Sequence, residues 1–281
     1  MHKNIIYTSY GFGKGSDAYG QFEEEEWSIV QREKIKDYCE RNNIELKVID
    51  YDNPYMVKIL NNFEPTRDKY SKTHAIYVLS AIAAIFDFCD SEYDTFYWLH
   101  LDMVIRNPDI NIFDTFEFHD NSIYCWSFCK SSYDCHAEWD YLKREWRKSV
   151  CNEFGITIPE GDEIDMTCNA SNIITNKRGA FNLRDAILNN MDFMNNTVSF
   201  SVIEETIIEV ASMISDKVVV KQVFDLPTIG KYEGKHFPQD FRKNEDHKLY
   251  MENTETHDDA VFIHFWGLNK KTIPDFYKVI S

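Results

Sequence analysis

The stretch Tyr97-Trp98-Leu99-His100-Leu101-Asp102-Met103-Val104-Ile105 decides how this chain is read. Its apolar frame suits a buried strand, and it delivers a histidine and an aspartate two positions apart. Side chains at i and i+2 of a strand project from one face, so His100 and Asp102 are expected to address one ligand together. A second stretch, His264-Phe265-Trp266-Gly267-Leu268-Asn269-Lys270, closes another apolar run with a histidine, a glycine and a lysine. Imidazole and carboxylate suit a divalent metal, and lysine suits a phosphate. Together the two stretches read as a metal–pyrophosphate site.

Working outward, Asn4 to Ser9 reads as a buried opening strand followed by a glycine-rich loop, Gly11 to Gly20. Glu23 to Arg41 has helical spacing, with Trp27, Ile29, Val30, Ile35 and Tyr38 set among charges. Ile44 to Asp50 alternates like a strand, Lys69 to Cys89 is a long apolar helix, and Thr95 to Leu101 is the next strand. This β-α-β-α-β order predicts a parallel sheet with helices on both faces, whose ligands sit outside the carboxyl ends of the strands. Asp102 lies at such an end. Beyond Asn107-Pro108, strands are expected over Ser122 to Phe128, Asn169 to Thr175, Lys217 to Phe224 and Val261 to Phe265. Helices are expected over Ala137 to Phe154, Arg178 to Phe193 and Val202 to Ile214. Thr228 to Asp259 is polar and reads as an irregular surface excursion. No repeat or linker interrupts the chain, so residues 1–281 read as a single domain, with a nucleotide half over 1–106 and an acceptor half over 107–281.

On these residues the chain resembles glycosyltransferases of the GT-A fold, an α/β, Rossmann-like, mixed but mainly parallel sheet flanked by helices. That family carries a strand ending in Asp-x-Asp, whose carboxylates hold manganese against the diphosphate of a nucleotide-sugar. Here the second Asp is Asp102, and His100 stands where the first would be. Several retaining families of the fold add His-x-x-Gly-x-x-Lys near the C-terminus, matched at His264, Gly267 and Lys270. The Pro-Trp that follows in the family is replaced by Lys271-Thr272. The resemblance implies a metal site at His100, Asp102 and His264, filled by Mn2+ or Mg2+. It implies a diphosphate contact from Lys270 beside Gly267. It further implies nucleotide contacts from Tyr7, Thr8 and Ser9, a donor-facing Lys72, and sugar contacts near Asn169, Ala170 and Ser171. Glu204 and Glu205 stand where the family has an Asp-Gln pair that orients the transferred sugar or acceptor. The implied activity is transfer of a hexosyl or pentosyl group from a nucleotide-diphosphate sugar, a UDP-sugar first, to a glycan, protein or small-molecule hydroxyl, with retention.

Each residue also has a plainer reading. Asp102 could cap a turn, and His264 could be a core histidine. His100 could bind metal, hydrogen-bond the nucleotide or simply pack. Lys72, Lys270 and Lys271 could be solvated, and acids such as Glu204 and Glu205 are favoured in a helix's first turn without any function. Trp126, Trp139, Trp146 and Trp266 could stack on sugars or fill core. Gly11-Phe12-Gly13-Lys14-Gly15-Ser16 follows a strand but has neither P-loop nor Gly-x-Gly-x-x-Gly spacing.

Bulk properties narrow the alternatives. A hydrophobic content of 43% and aromatic content of 15% exclude a disordered chain. With 47 acidic against 30 basic residues the net charge is −17, which disfavours nucleic acid as a partner. A phage-type transferase acting on modified DNA bases is therefore a lesser alternative, as is a non-catalytic nucleotide- or sugar-binding protein. A sugar nucleotidyltransferase lacks its glycine-rich, arginine-containing signature here. No apolar run is long enough to span a bilayer, and the start does not read as a signal peptide. Seven scattered cysteines suit a reducing, cytoplasmic setting. The spacing of Cys125, Cys129 and Cys135-His136 fits no standard zinc site.

Overall fold

The structure is a computed structural model that describes residues 3–9, 13–15, 22–50, 52–62, 72–116, 118, 121–128, 152, 155, 167–192, 203–222, 229–232, 241–243, 249–251, 260–265 and 271–280. The first half runs β1 (Asn4–Ser9), a short hairpin of β2 (Gly13–Gly15) and β3 (Phe22–Glu24), α1 (Glu26–Arg41), β4 (Glu45–Ile49), α2 (Pro54–Asn62), α3 (Lys72–Cys89), β5 (Thr95–Leu99) and β6 (Met103–Ile105). The second half runs β7 (Ile123–Phe128), β8 (Thr167–Asn176), α4 (Lys177–Asn189), α5 (Ile203–Ile214), β9 (Val220–Gln222), β10 (Ile229–Tyr232), β11 (Phe241–Lys243), β12 (Leu249–Met251), β13 (Phe262–Phe265) and α6 (Ile273–Ile280).

Strands β4-β1-β5-β8-β7-β9 form one six-stranded sheet. β1 is parallel to β4 and β5, β9 is parallel to β7, and β8 alone runs against its neighbours β5 and β7. The protein is thus a mixed, mainly parallel α/β fold with helices on the sheet. Strands from both sequence halves share that sheet, because β5 pairs directly with β8.

The pattern of β1 explains its central place. Ile5 and Tyr7 point into one apolar cluster with Phe96 and Trp98, while Ile6 joins Tyr97 and Leu99 in the other. A strand buried on both faces reads as a continuous apolar run, as Ile5-Ile6-Tyr7 does. α3 supplies Leu79, Ile82, Phe86 and Phe88 to the first cluster, and α1 supplies Trp27, Ile35 and Tyr38 to the second. Lys177 closes the carboxyl end of α3: its Nζ donates to the carbonyls of Phe88 and Ser91, the latter at 2.8 Å. A cation at a helix carboxyl end satisfies orphan carbonyls and complements the dipole.

Three expectations change. The apolar run from Tyr97 to Ile105 is not one strand, since β5 ends at Leu99 and β6 belongs to a separate three-stranded sheet, β10-β13-β6. The polar excursion Thr228 to Asp259 contains β10, β11 and β12, too short for any periodicity to show. α1 starts at Glu26 rather than Glu23, because Phe22 to Glu24 pair with the glycine-rich loop as β3. The helix expected over Ala137 to Phe154 falls on residues outside those described, apart from Asn152.

α4 begins with Asn176, whose side chain accepts from the Gly179 backbone N–H at 2.9 Å. A Cβ at Gly179 would lie 2.2 Å from Thr175 Oγ1 and 2.8 Å from the Asn121 carbonyl oxygen. Glycine to alanine ordinarily favours a helix by about 1 kcal/mol. Here the sign reverses: Gly179→Ala is expected to lower stability by about 1–3 kcal/mol through overpacking. Urea unfolding of the two proteins checks this, and an alanine variant at least as stable as the parent would refute the close packing.

Candidate functional site

Where β5 ends, His100, Leu101 and Asp102 turn the chain from the six-stranded sheet into β6. The Met103 N–H donates to the His100 carbonyl at 3.0 Å, closing a four-residue turn. His100 Nδ1 lies 2.6 Å from Asp102 Oδ1, so the two residues do meet, through the turn rather than along a strand face. The carboxylate is 3% exposed and the imidazole 12%. The Asp102 backbone N–H also donates to His100 Nδ1 at 3.4 Å, so imidazole and carboxylate are held side by side within the turn.

The two sequence motifs converge. β13 lies antiparallel to β6 with His264 opposite Met103, Ile263 opposite Val104 and Phe262 opposite Ile105. The ladder extends one step further, because the Phe265 N–H donates to the Asp102 carbonyl at 2.7 Å. Residues about 160 positions apart thus share one strand end. The His264 side chain, Gly267 and Lys270 lie outside the described residues, so the convergence is one of backbone position.

Around this turn the framework is polar and satisfied. The Tyr97 hydroxyl donates to Asn172 Oδ1 at 2.7 Å, and Asn172 Nδ2 donates to Met103 Sδ at 2.9 Å, tying β5, β8 and β6 together. Burial raises the Tyr97 pKa well above the usual phenol range, so it remains a donor. The sequence directs attention to Asn169, Ala170 and Ser171, but the side chain joined to the framework is Asn172. Ala170 is buried, and Asn169 lies in β8 opposite Trp126.

The residues expected to touch the nucleotide divide. Tyr7 is fully buried in the core, and its hydroxyl donates to Asp87 Oδ2 at 2.6 Å, while Lys47 Nζ donates to both Asp87 oxygens at 2.8 Å. Burial, then the Asp87 hydrogen bond, raises the Tyr7 pKa. Its hydroxyl is engaged with Asp87 in the core. Thr8 and Ser9, one and two residues further along β1, are also buried, yet Thr8 Oγ1 and Ser9 Oγ meet no hydrogen-bond partner among the described residues. With Tyr7 opposite Trp98, continuing both strands brings Ser9 level with His100. Lys72 opens α3, its side chain undescribed.

Glu204 and Glu205 lie in the first turn of α5, which packs against β8, α3 and α4. Glu204 is half-buried and Glu205 is buried. Glu209 is buried too, and the sequence reading passed over it. Its spacing of i+4 from Glu205, on an otherwise apolar helix face, was the available signal.

For a divalent cation the described ligating groups at this turn are the Asp102 carboxylate and the His100 imidazole, and among the described residues no group of three metal-ligating side chains gathers. A carboxylate and an imidazole are donors of a kind that suits Mn2+ or Mg2+, and the backbone of His264 lies opposite Met103 on the adjacent strand. The residues fit such an ion.

No family model matches the sequence, and no curated protein matches it. The fold is similar to solved glycosyltransferase structures. One is a glycosyltransferase involved in the glycosylation of the major capsid of PBCV-1, at 11% identity and TM-score 0.44, over 98% of this chain and 99% of that one. Another is mouse xyloside xylosyltransferase 1 in its apo form, at 12% identity and TM-score 0.46, over 82% and 87%. A third is the galactosyltransferase LgtC with donor and acceptor sugar analogs, at 9% identity and TM-score 0.43, over 99% and 95%. No residue's role is carried over from them.

An unpaired buried hydroxyl costs stability unless something binds it. Thr8→Val and Ser9→Ala should therefore leave stability unchanged or raise it by up to about 1 kcal/mol. Chemical denaturation reads this directly, and a loss beyond about 1 kcal/mol would reveal an internal partner for the hydroxyl.

Proposed function

We propose that the protein is a metal-dependent glycosyltransferase that takes a sugar from a nucleotide-diphosphate donor, a UDP-sugar first, and passes it with retention to an acceptor hydroxyl. The observation that carries this reading is the pairing of Phe265 with Asp102, which aligns the two motif-bearing strand ends at the carboxyl edge of the sheet. Ligands of open α/β sheets bind at such edges.

Residue by residue, the unpaired hydroxyls of Thr8 and Ser9 receive the nucleoside, with Lys72 facing the donor from the start of α3. His100, Asp102 and His264 hold the cation. A bound Mn2+ or Mg2+ supplies Lewis-acid stabilisation of charge on the departing diphosphate. Lys270, next to Gly267, adds a positive contact to that diphosphate, worth most where water is excluded. Asn169, Glu204 and Glu205 orient the transferred sugar and the acceptor. In the reaction the anomeric carbon's bond to the diphosphate oxygen breaks, its electron pair leaving with the nucleoside diphosphate. A bond to the acceptor oxygen forms on the same face as the departing group, and the acceptor proton passes to that departing phosphate or to water. Holding the two partners together supplies much of the rate. The acceptor is a glycan, a protein or a small molecule, and the cytoplasm is the proposed compartment. Among the described residues no helix is long and apolar enough to cross a membrane.

One observation favours a second reading, a non-catalytic nucleotide- or sugar-binding protein: Asp102 lies against His100, which stands where the resembled family has its first metal-binding Asp. Calorimetric titration of UDP, GDP, ADP and CMP, each with and without manganese, separates the readings. One diphosphate is expected to bind in a manganese-dependent way, weakened roughly 10- to 100-fold or more in Asp102→Ala and His264→Ala. Binding that ignores both metal and substitutions sinks the transferase proposal, and tight binding without any sugar transfer moves the protein to the second reading.

A further inference from the structure

β6 is an end strand of its sheet: β13 pairs with one side, and its other side has no strand partner among the described residues. An antiparallel edge presents, on its open side, the carbonyl of one residue and the N–H of the residue two further on, as part of its alternating pattern. In β6 those groups belong to Met103 and Ile105. The Ile105 N–H donates to the Tyr277 hydroxyl at 3.0 Å. That hydroxyl donates onward to Gln31 Oε1 at 2.7 Å, and Gln31 Nε2 donates to the Met103 carbonyl. Two side chains, 246 positions apart, together fill the hydrogen-bonding place of a missing strand residue.

The neighbouring residue extends the grip. Phe276 packs edge-on against Phe265 with ring centroids 5.2 Å apart, so adjacent residues of α6 hold β13 and β6 simultaneously. Phe265 is the residue whose N–H reaches Asp102, and Met103 follows Asp102 directly. Tyr277 is 7% exposed and Gln31 fully buried, so the clamp works away from solvent. α6 also packs against α1, which carries Gln31. The ladder between β6 and β13 is only a few residues long, and so short a pairing is weakly specified in register by itself.

We propose that Tyr277 and Gln31 are positioning residues that fix the register of β6, and through it hold the His100–Asp102 turn against His264 for cation binding. This rests on the metal–diphosphate reading of that turn. The Tyr277 hydroxyl and the Gln31 amide act only through β6.

The test measures Mn2+ affinity by electron paramagnetic resonance of free manganese, and UDP affinity with and without Mn2+, on the whole chain. Tyr277→Phe removes the hydroxyl while keeping the ring, and Gln31→Met removes the amide while leaving Tyr277 on Ile105. Gly179→Ala serves as a control that lowers stability far from the clamp. Each clamp variant is expected to weaken Mn2+ binding five- to twentyfold, with metal-free UDP affinity unchanged and the control indistinguishable from the parent. The double variant should weaken it little more than either single one, because both break one chain of hydrogen bonds. Unchanged Mn2+ affinity in folded clamp variants overturns the positioning role alone, as does an equal loss in the Gly179 control. If the parent binds no manganese, the metal reading falls and the clamp proposal falls with it. Should Tyr277→Phe fail to fold, Gln31→Met decides the matter by the same readout.

Discussion

The fold's chemistry depends on one crossing. Between Leu99 and Met103 the chain leaves a six-stranded sheet and enters a three-stranded one, and the residues that make the change are His100, Leu101 and Asp102. A turn there needs its backbone groups satisfied, since buried N–H and C=O groups are rarely left alone. The His100 carbonyl takes the Met103 N–H, and the Asp102 carbonyl takes the N–H of Phe265. The second of these bonds carries the β6–β13 ladder back to the end of β5, so the two histidine-bearing segments are neighbours along the whole of that pairing.

Much of this was legible in the sequence, and the reasons it was legible mark where it stopped being so. β1 and β5 announce themselves as continuous apolar runs buried in the sheet, and β4, an edge strand buried only at Ile49, by its alternation. The convergence of Asp102 and His264 followed from placing both at the ends of apolar strands. The break at His100 did not show, because Leu101, Met103, Val104 and Ile105 continue the apolar run whichever sheet receives them. Burial fixes hydrophobicity, not sheet membership. The partner of Tyr7 was not legible either, since only the position of Asp87 on α3 shows where its hydroxyl goes. Asn172 sits one place beyond the residues that drew attention, and Tyr277 and Gln31 are joined by tertiary structure alone.

The contrast between Asp87 and Thr8 carries this furthest. Asp87, near the carboxyl end of α3, meets Tyr7 of β1 and Lys47 of β4. There the carboxylate accepts from Tyr7 and twice from Lys47, which compensates for its burial. One residue beyond Tyr7, and again at the next, a hydroxyl is buried with no partner among the described residues. The change from a satisfied to an unpartnered hydroxyl, among the described residues, falls within three consecutive positions of one strand. By continuation of the β1–β5 register, Thr8 and Ser9 lie level with the end of β5, where the chain passes to His100 and Asp102. Under the transferase reading proposed above, a donor with a sugar-like part and a charged part would engage both the hydroxyls and the imidazole–carboxylate pair, whereas a bare metal ion would engage only the pair.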